Sequence, residues 1–88
     1  MYYIVTYDIK SPKRLPKALK TCRKFLFWVQ KSVFEGELTK TQFNDLKNQL
    51  TKVIDKKVDM VLFYEIRNTD VVNKNILGNE ANPISKFI

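Results

Sequence analysis

This sequence predicts an α+β domain, an antiparallel sheet carrying two helices on one of its faces. Three observations lead there. Apolar residues recur at helical spacing in two separate stretches, runs of β-branched and aromatic residues flank each stretch, and the resulting order is β-α-β(β)-α-β.

Each element has its own signal. Tyr2-Tyr3-Ile4-Val5-Thr6-Tyr7 is dense in β-formers and reads as a strand ending at Asp8. Ser11-Pro12 marks a turn or helix start. Leu15, Ala18, Leu19, Cys22 and Leu26 then give an amphipathic helix over about Lys13 to Leu26, with Pro16 tolerated only in its first turn. Phe27 to Leu38 is β-like again, either one bent strand or two short ones broken at Lys31. Thr39 with Gln42 three residues on is a capping-box signature, and Phe43, Leu46, Leu50, Val53 and Ile54 line one stripe of a second helix ending near Asp55. Val58 to Ile66 is the last long strand. Residues 1–66 therefore form the domain, and residues 67–88 follow as a polar, Asn-rich extension with small apolar knots. The order matches the ferredoxin-like plan.

The strands do not alternate cleanly between apolar and polar. Tyr3, Val5 and Tyr7 share one face while Ile4 and Thr6 share the other, and Val61 and Phe63 oppose Met60, Leu62, Tyr64 and Ile66. Two helices cover one sheet face only. An isologous homodimer is the simplest cover for the second.

Composition excludes several classes. One Cys and no His rule out an internal disulfide and a Cys/His zinc cage, so a hard divalent ion would have to bind through carboxylates. The chain shows no membrane-length apolar run and no signal-peptide pattern, which sets the expectation of a soluble, cytoplasmic protein with no membrane partner. Sixteen Lys and Arg against nine Asp and Glu give +7. That excess favours polyanionic partners, with nucleic acid first.

Lys10, Lys13, Arg14, Lys17, Lys20, Arg23, Lys24 and Lys31 form a basic stretch, and no acid occurs between Asp8 and Glu35. Lys13, Lys17, Lys20 and Lys24 fall on one stripe of the first helix. A solvated face is the ordinary reading of such a stripe. The absence of compensating acids nearby favours phosphate contact, which is salt-dependent and blind to sequence. Asp8, at the end of the first strand, offers a carboxylate to Mg²⁺. The competing reading is a turn carboxylate that accepts N–H bonds at Ser11-Pro12 or pairs with Arg14. Tyr2, Tyr3, Tyr7, Trp28, Phe34, Phe63 and Tyr64 could stack bases, but their mixing with Ile, Val and Leu favours core or interface. Cys22 reads as a small core hydrophobe.

Several of these segments resemble the CRISPR-associated protein 2 family, the small subunit of the spacer-acquisition machinery. They are the N-terminal Met-Tyr-x-Ile-Val-x-Tyr-Asp-Ile strand, the basic helix beginning Lys-Arg-Leu-Pro-Lys, and Val29-Gln30-x-Ser32-Val33-Phe34-Glu35-Gly36-Glu37-Leu38. The helix leading to Ile54-Asp55 and the tail Asn82-Pro83-Ile84-Ser85-Lys86-Phe87-Ile88 fit as well.

The resemblance implies a ferredoxin-like protomer in a symmetric homodimer, with the C-terminal segment 67–88 adding a strand to the partner's sheet and ending in a tail. It implies two strands within Phe27 to Leu38. It also implies partnership with the CRISPR integrase subunit, bridging of its dimers, and binding of double-stranded DNA and single-stranded RNA by Lys10, Lys13, Arg14, Lys17, Lys20 and Lys24. Metal-dependent endonuclease activity on RNA or double-stranded DNA is implied too, with Mg²⁺ between Asp8 and its symmetry mate activating water for attack on a phosphodiester. Tyr7, Arg14 and Phe34 match family positions implicated in activity. Trp28 departs from the pattern, since many relatives carry Arg there, and the lack of His leaves no obvious general base. Two other readings remain open: a scaffold that bridges integrase dimers without catalysis, and a ferredoxin-fold regulator acting through protein contacts.

Overall fold

The computed structural model describes residues 1–68 and 72–79. Its elements run β1 (Tyr2–Asp8), α1 (Leu15–Arg23), β2 (Phe27–Gln30), β3 (Val33–Glu37), α2 (Lys40–Val53) and β4 (Met60–Ile66). The strands make one antiparallel sheet in the order β2-β3-β1-β4. This is the expected α+β architecture, with two corrections of extent. The first helix is nine residues long and shorter than apolar spacing suggested. The last strand starts at Met60 because Val58 and Asp59 close a turn, both donating backbone N–H bonds to the Asp55 carbonyl.

Local chemistry accounts for the ends. Ser11 organises the approach to α1: its carbonyl accepts from the Leu15 amide at 3.0 Å, and its hydroxyl accepts from the Lys13 amide at 3.1 Å. That turn consumes Lys13 and Arg14, so the regular helix opens at Leu15 with Pro16 in its first turn, where a missing N–H costs nothing. At the other end, Leu26 donates its amide to the Cys22 carbonyl and drops into the core as the chain passes to β2. Helix α2 carries the complete capping box: the Thr39 hydroxyl accepts from the Gln42 amide, and the Gln42 side chain accepts from the Thr39 amide. Phe27 to Leu38 splits at Lys31 into two strands joined through Lys31 and Ser32. Lys31 takes φ 29°, a left-handed value that favours glycine.

The core lies between the sheet and the helices. Val5, Phe34, Leu46 and Cys22 are fully buried, with Tyr3, Tyr7, Ala18, Leu26, Leu38 and Leu50 around them. Tyr3 stacks on Phe43 with centroids 4.4 Å apart, and Phe63 meets Phe43 edge-on at 5.2 Å. Gly36 lets β3 pass close beneath the helix-to-strand link, since a Cβ there would stand 3.0 Å from Leu26 Cδ2.

The opposite face is different. Register pairs Ile4 with Tyr64, Thr6 with Leu62 and Asp8 with Met60, which places these residues side by side on the face away from the helices. Met60, Leu62 and Tyr64 are 52, 40 and 55% exposed there. Toward β2 that face also carries Glu35, which is buried and ion-paired with Lys74 of the C-terminal segment. The expected strand addition by 67–88 falls partly on residues 69–71 and 80–88, which lie outside the described residues. Among the described residues of that segment no strand forms.

Candidate metal and nucleic-acid site

Asp8 is the last residue of β1, exposed, and paired with the Lys10 ammonium at 3.0 Å. It does not take the alternative partner Arg14. Arg14 belongs to Asp59, with Nε donating to Oδ2 at 2.7 Å and a terminal guanidinium nitrogen to Oδ1 at 3.1 Å. Asp59 also accepts the Lys10 amide and the Asp55 amide, each at 2.8 Å. Hydrogen bonding from Arg14 chiefly holds the Asp59 carboxyl well below the usual carboxylate range, and the same bond raises Arg14. This junction fixes the loop that carries Lys10 and the start of α1 against the turn before β4. No motif or spacing in the sequence singles out Asp59.

The four expected catalytic residues do not form one cluster. Asp8 and Tyr7 are neighbours on one strand and so face opposite sides of the sheet. Tyr7 is buried on the helix side, where it stacks on the fully buried Phe34 with centroids 6.1 Å apart. Burial, with the nearby Cys22 thiol second, pushes the Tyr7 phenol up to about 12, so it stays neutral at physiological pH. Phe34, paired with Val5 across the strands, lies with Tyr7 on the face opposite Asp8.

The described residues of one chain do not gather a hard-cation site. Asp8 supplies a single carboxylate, the Asp59 oxygens are engaged, and no group of three His, Cys, Asp or Glu gathers among the described residues. Asp8 shares its sheet face with the exposed Met60 and Leu62.

The basic stretch is presented on the surface. Lys10, Lys13, Lys17, Lys20 and Lys24 are exposed, and Lys24 is within 3.3 Å of the Gln49 side-chain oxygen. Lys17 and Lys20 lie within α1, while Lys13 precedes it and Lys24 caps its end, so the stripe extends past both ends of the helix. Arg14, by contrast, is only 28% exposed and is committed to Asp59. Arg23 lies off the stripe, its guanidinium 5.9 Å above the Trp28 ring. No helix among the described residues is long and apolar enough to cross a membrane.

Comparison with known proteins gives a consistent answer. The family profile for CRISPR associated protein Cas2 matches residues 1–74. A CRISPR-associated endoribonuclease Cas2 of Dictyoglomus turgidum is 43% identical over 82 residues, which is 93% of each chain. The endoribonuclease of the same name from Pyrococcus furiosus is 42% identical over 88 residues, 100% of both. Among solved structures, a crystal structure of cas2 superposes with a TM-score of 0.83 at 34% identity, covering 100% of this chain and 98% of the other. Streptococcus pyogenes Cas2 at pH 6.5 gives 0.75 at 36% identity, covering 86% and 99%. Similarity in sequence and in fold over nearly the whole length shows that this chain belongs to the Cas2 family of CRISPR-associated proteins.

Proposed function

We propose that this chain works as a homodimeric, Mg²⁺-dependent endoribonuclease that binds nucleic acid within the CRISPR spacer-acquisition complex. One observation carries the reading: Asp8 ends β1 on the exposed apolar face formed with Ile4, Thr6, Met60, Leu62 and Tyr64. A second copy mated to that face by two-fold symmetry buries the apolar patch and brings a second Asp8 toward the first. The two carboxylates then supply the paired oxygens that a divalent ion needs.

A divalent ion held there supplies activation of water and charge neutralisation at a phosphodiester. The chain's own residues do the rest. Asp8 holds the ion, and Lys10 offers a cation beside it to a phosphate oxygen. Arg14, bound to Asp59, positions the loop that carries Lys10. Tyr7 and Phe34 stiffen the strand end beneath Asp8. Lys13, Lys17, Lys20 and Lys24 hold phosphates of RNA, and of the double-stranded DNA that the adaptation complex handles together with the integrase subunit.

A second reading, a scaffold without catalysis, is supported by the exposed Asp8–Lys10 pair, because phosphate binding by the lysines does not require Asp8. Asp8→Ala separates the two. It should lower Mg²⁺-dependent cleavage of a defined RNA by about 100-fold or more while leaving dimerisation and duplex binding unchanged. Cleavage that survives the substitution overturns the role given to Asp8.

A further inference from the structure

On the helix side of the sheet, away from Asp8, lies an open groove of about 450 Å³. Its lining includes Tyr7, Leu15, Pro16, Leu19, Trp28 and Lys31, and among the described residues no acid contributes to it. Three features set it apart from incidental surface. The Trp28 indole is fixed, since its N–H donates to the Lys31 carbonyl at 2.9 Å and Arg23 sits over its ring. The β2–β3 pairing is irregular between Trp28 and Gln30, a bulge of the kind that re-aims a side chain. Lys31, one of the residues lining the groove, takes a left-handed backbone value that would favour glycine, so strain is accepted where the indole is anchored.

The groove thus offers an anchored indole and apolar walls, with Lys31 in its lining and the Arg23 guanidinium over the indole. Leu15, Leu19 and Arg23 are spaced four apart and share one row of α1, so the row leads from the apolar wall to a guanidinium. A flat aromatic solute bearing an adjacent negative charge is complementary to that combination. An unpaired nucleotide is such a solute, with its base on the indole and its phosphate between Lys31 and Arg23. A hydrophobic peptide would leave both cations unused.

We propose that the Trp28 groove binds the base of an unpaired nucleotide in an RNA strand. The proposal rests on the nucleic-acid reading above and deepens it, because it gives the protein a means of telling single-stranded RNA from duplex. Base-paired nucleotides remain in their stack and cannot enter.

Trp28 is the only tryptophan in the chain, so its emission reports on the groove directly. The test titrates the wild-type protein, without Mg²⁺, with a short single-stranded RNA and with a blunt RNA duplex, while anisotropy of a label on the RNA records binding independently. The single strand should quench Trp28 emission in step with binding, whereas the duplex should bind and leave the emission nearly unchanged. Trp28→Ala should weaken single-strand binding by about tenfold or more and duplex binding by less than about twofold, and Trp28→Phe should restore most of the loss. Binding by anisotropy with static emission overturns the groove proposal and leaves the nucleic-acid reading standing. Absence of any binding removes both. Emission that shifts with protein concentration alone assigns the groove to a second copy and also overturns the proposal.

Discussion

Arg14 and Asp59, 45 residues apart in sequence, close a two-bond ion pair that locks the start of α1 to the turn before β4. The Asp59 side chain is fully enclosed, and its remaining capacity is taken by the amides of Lys10 and Asp55. Removing the charge leaves Arg14 facing a neutral amide and forces one of these donors to give way. Asp59→Asn should lower the thermal midpoint by roughly 5–15 °C at neutral pH. The sign of the pH dependence follows from the depressed carboxyl. Its contribution is complete above the ordinary carboxylate value of about 3.9 and is lost as pH falls below it toward the folded-state value. The gap between wild type and variant should therefore be widest near pH 7 and narrow in acid. Circular dichroism melts across that range check this.

The exposed face of β1 and β4 makes a separate prediction. Leu62 lies opposite Thr6 and next to the Asp8–Met60 pair, near the middle of the apolar patch. Leu62→Glu adds a charge that a monomer solvates freely and a dimer must bury. Self-association should weaken by about 100-fold or more with little loss of monomer stability. Sedimentation velocity at micromolar protein reads the outcome, and equal sedimentation of the two proteins would overturn the proposed two-fold contact on this face.

The lysine stripe is tested by salt rather than by affinity alone. Lys17 and Lys20 are exposed on α1, so replacing both with Gln removes charge without disturbing the core. If each neutralises a phosphate of single-stranded RNA, the slope of log affinity against log salt should flatten by about 0.7 for each lysine replaced. An unchanged slope would show that these cations are merely solvated.

What the sequence made legible follows from the range of each signal. Period-2 and period-3.6 patterns are local, so the element order and the Thr39–Gln42 capping box could be read directly. The same periodicity overran α1, because Leu26 is buried without being helical and Lys13 and Arg14 sit in a turn set by Ser11. Arg14–Asp59 was invisible because each residue alone is an ordinary surface charge, and only the path of β4 beside β1 joins them. Glu35 escaped for the same reason, since its ion-pair partner Lys74 arrives from the far end of the chain. The split between Asp8 and Tyr7 could have been foreseen: adjacent residues of a strand cannot share a face.

That split shapes the alkaline behaviour of the protein. Cys22 and Tyr7 are both buried on the helix side, and burial raises each to about 12, from ordinary values of 9.0 and 10.0. A raised acid favours the folded state only while it stays protonated. Stability should therefore be flat up to about pH 9 and decline as pH climbs through the ordinary thiol and phenol values toward 12. Cys22→Ala should delay the onset of that decline and cost about 1 kcal/mol at neutral pH for the small cavity it leaves. Because Tyr7 stays a neutral phenol across pH 6 to 9, RNA cleavage over that interval should carry no step from its ionisation. Tyr7→Phe, which keeps the ring against Phe34, should then retain cleavage within about threefold at every pH in the interval. A larger loss with an altered pH profile would give the Tyr7 hydroxyl a chemical role that its position behind the sheet argues against.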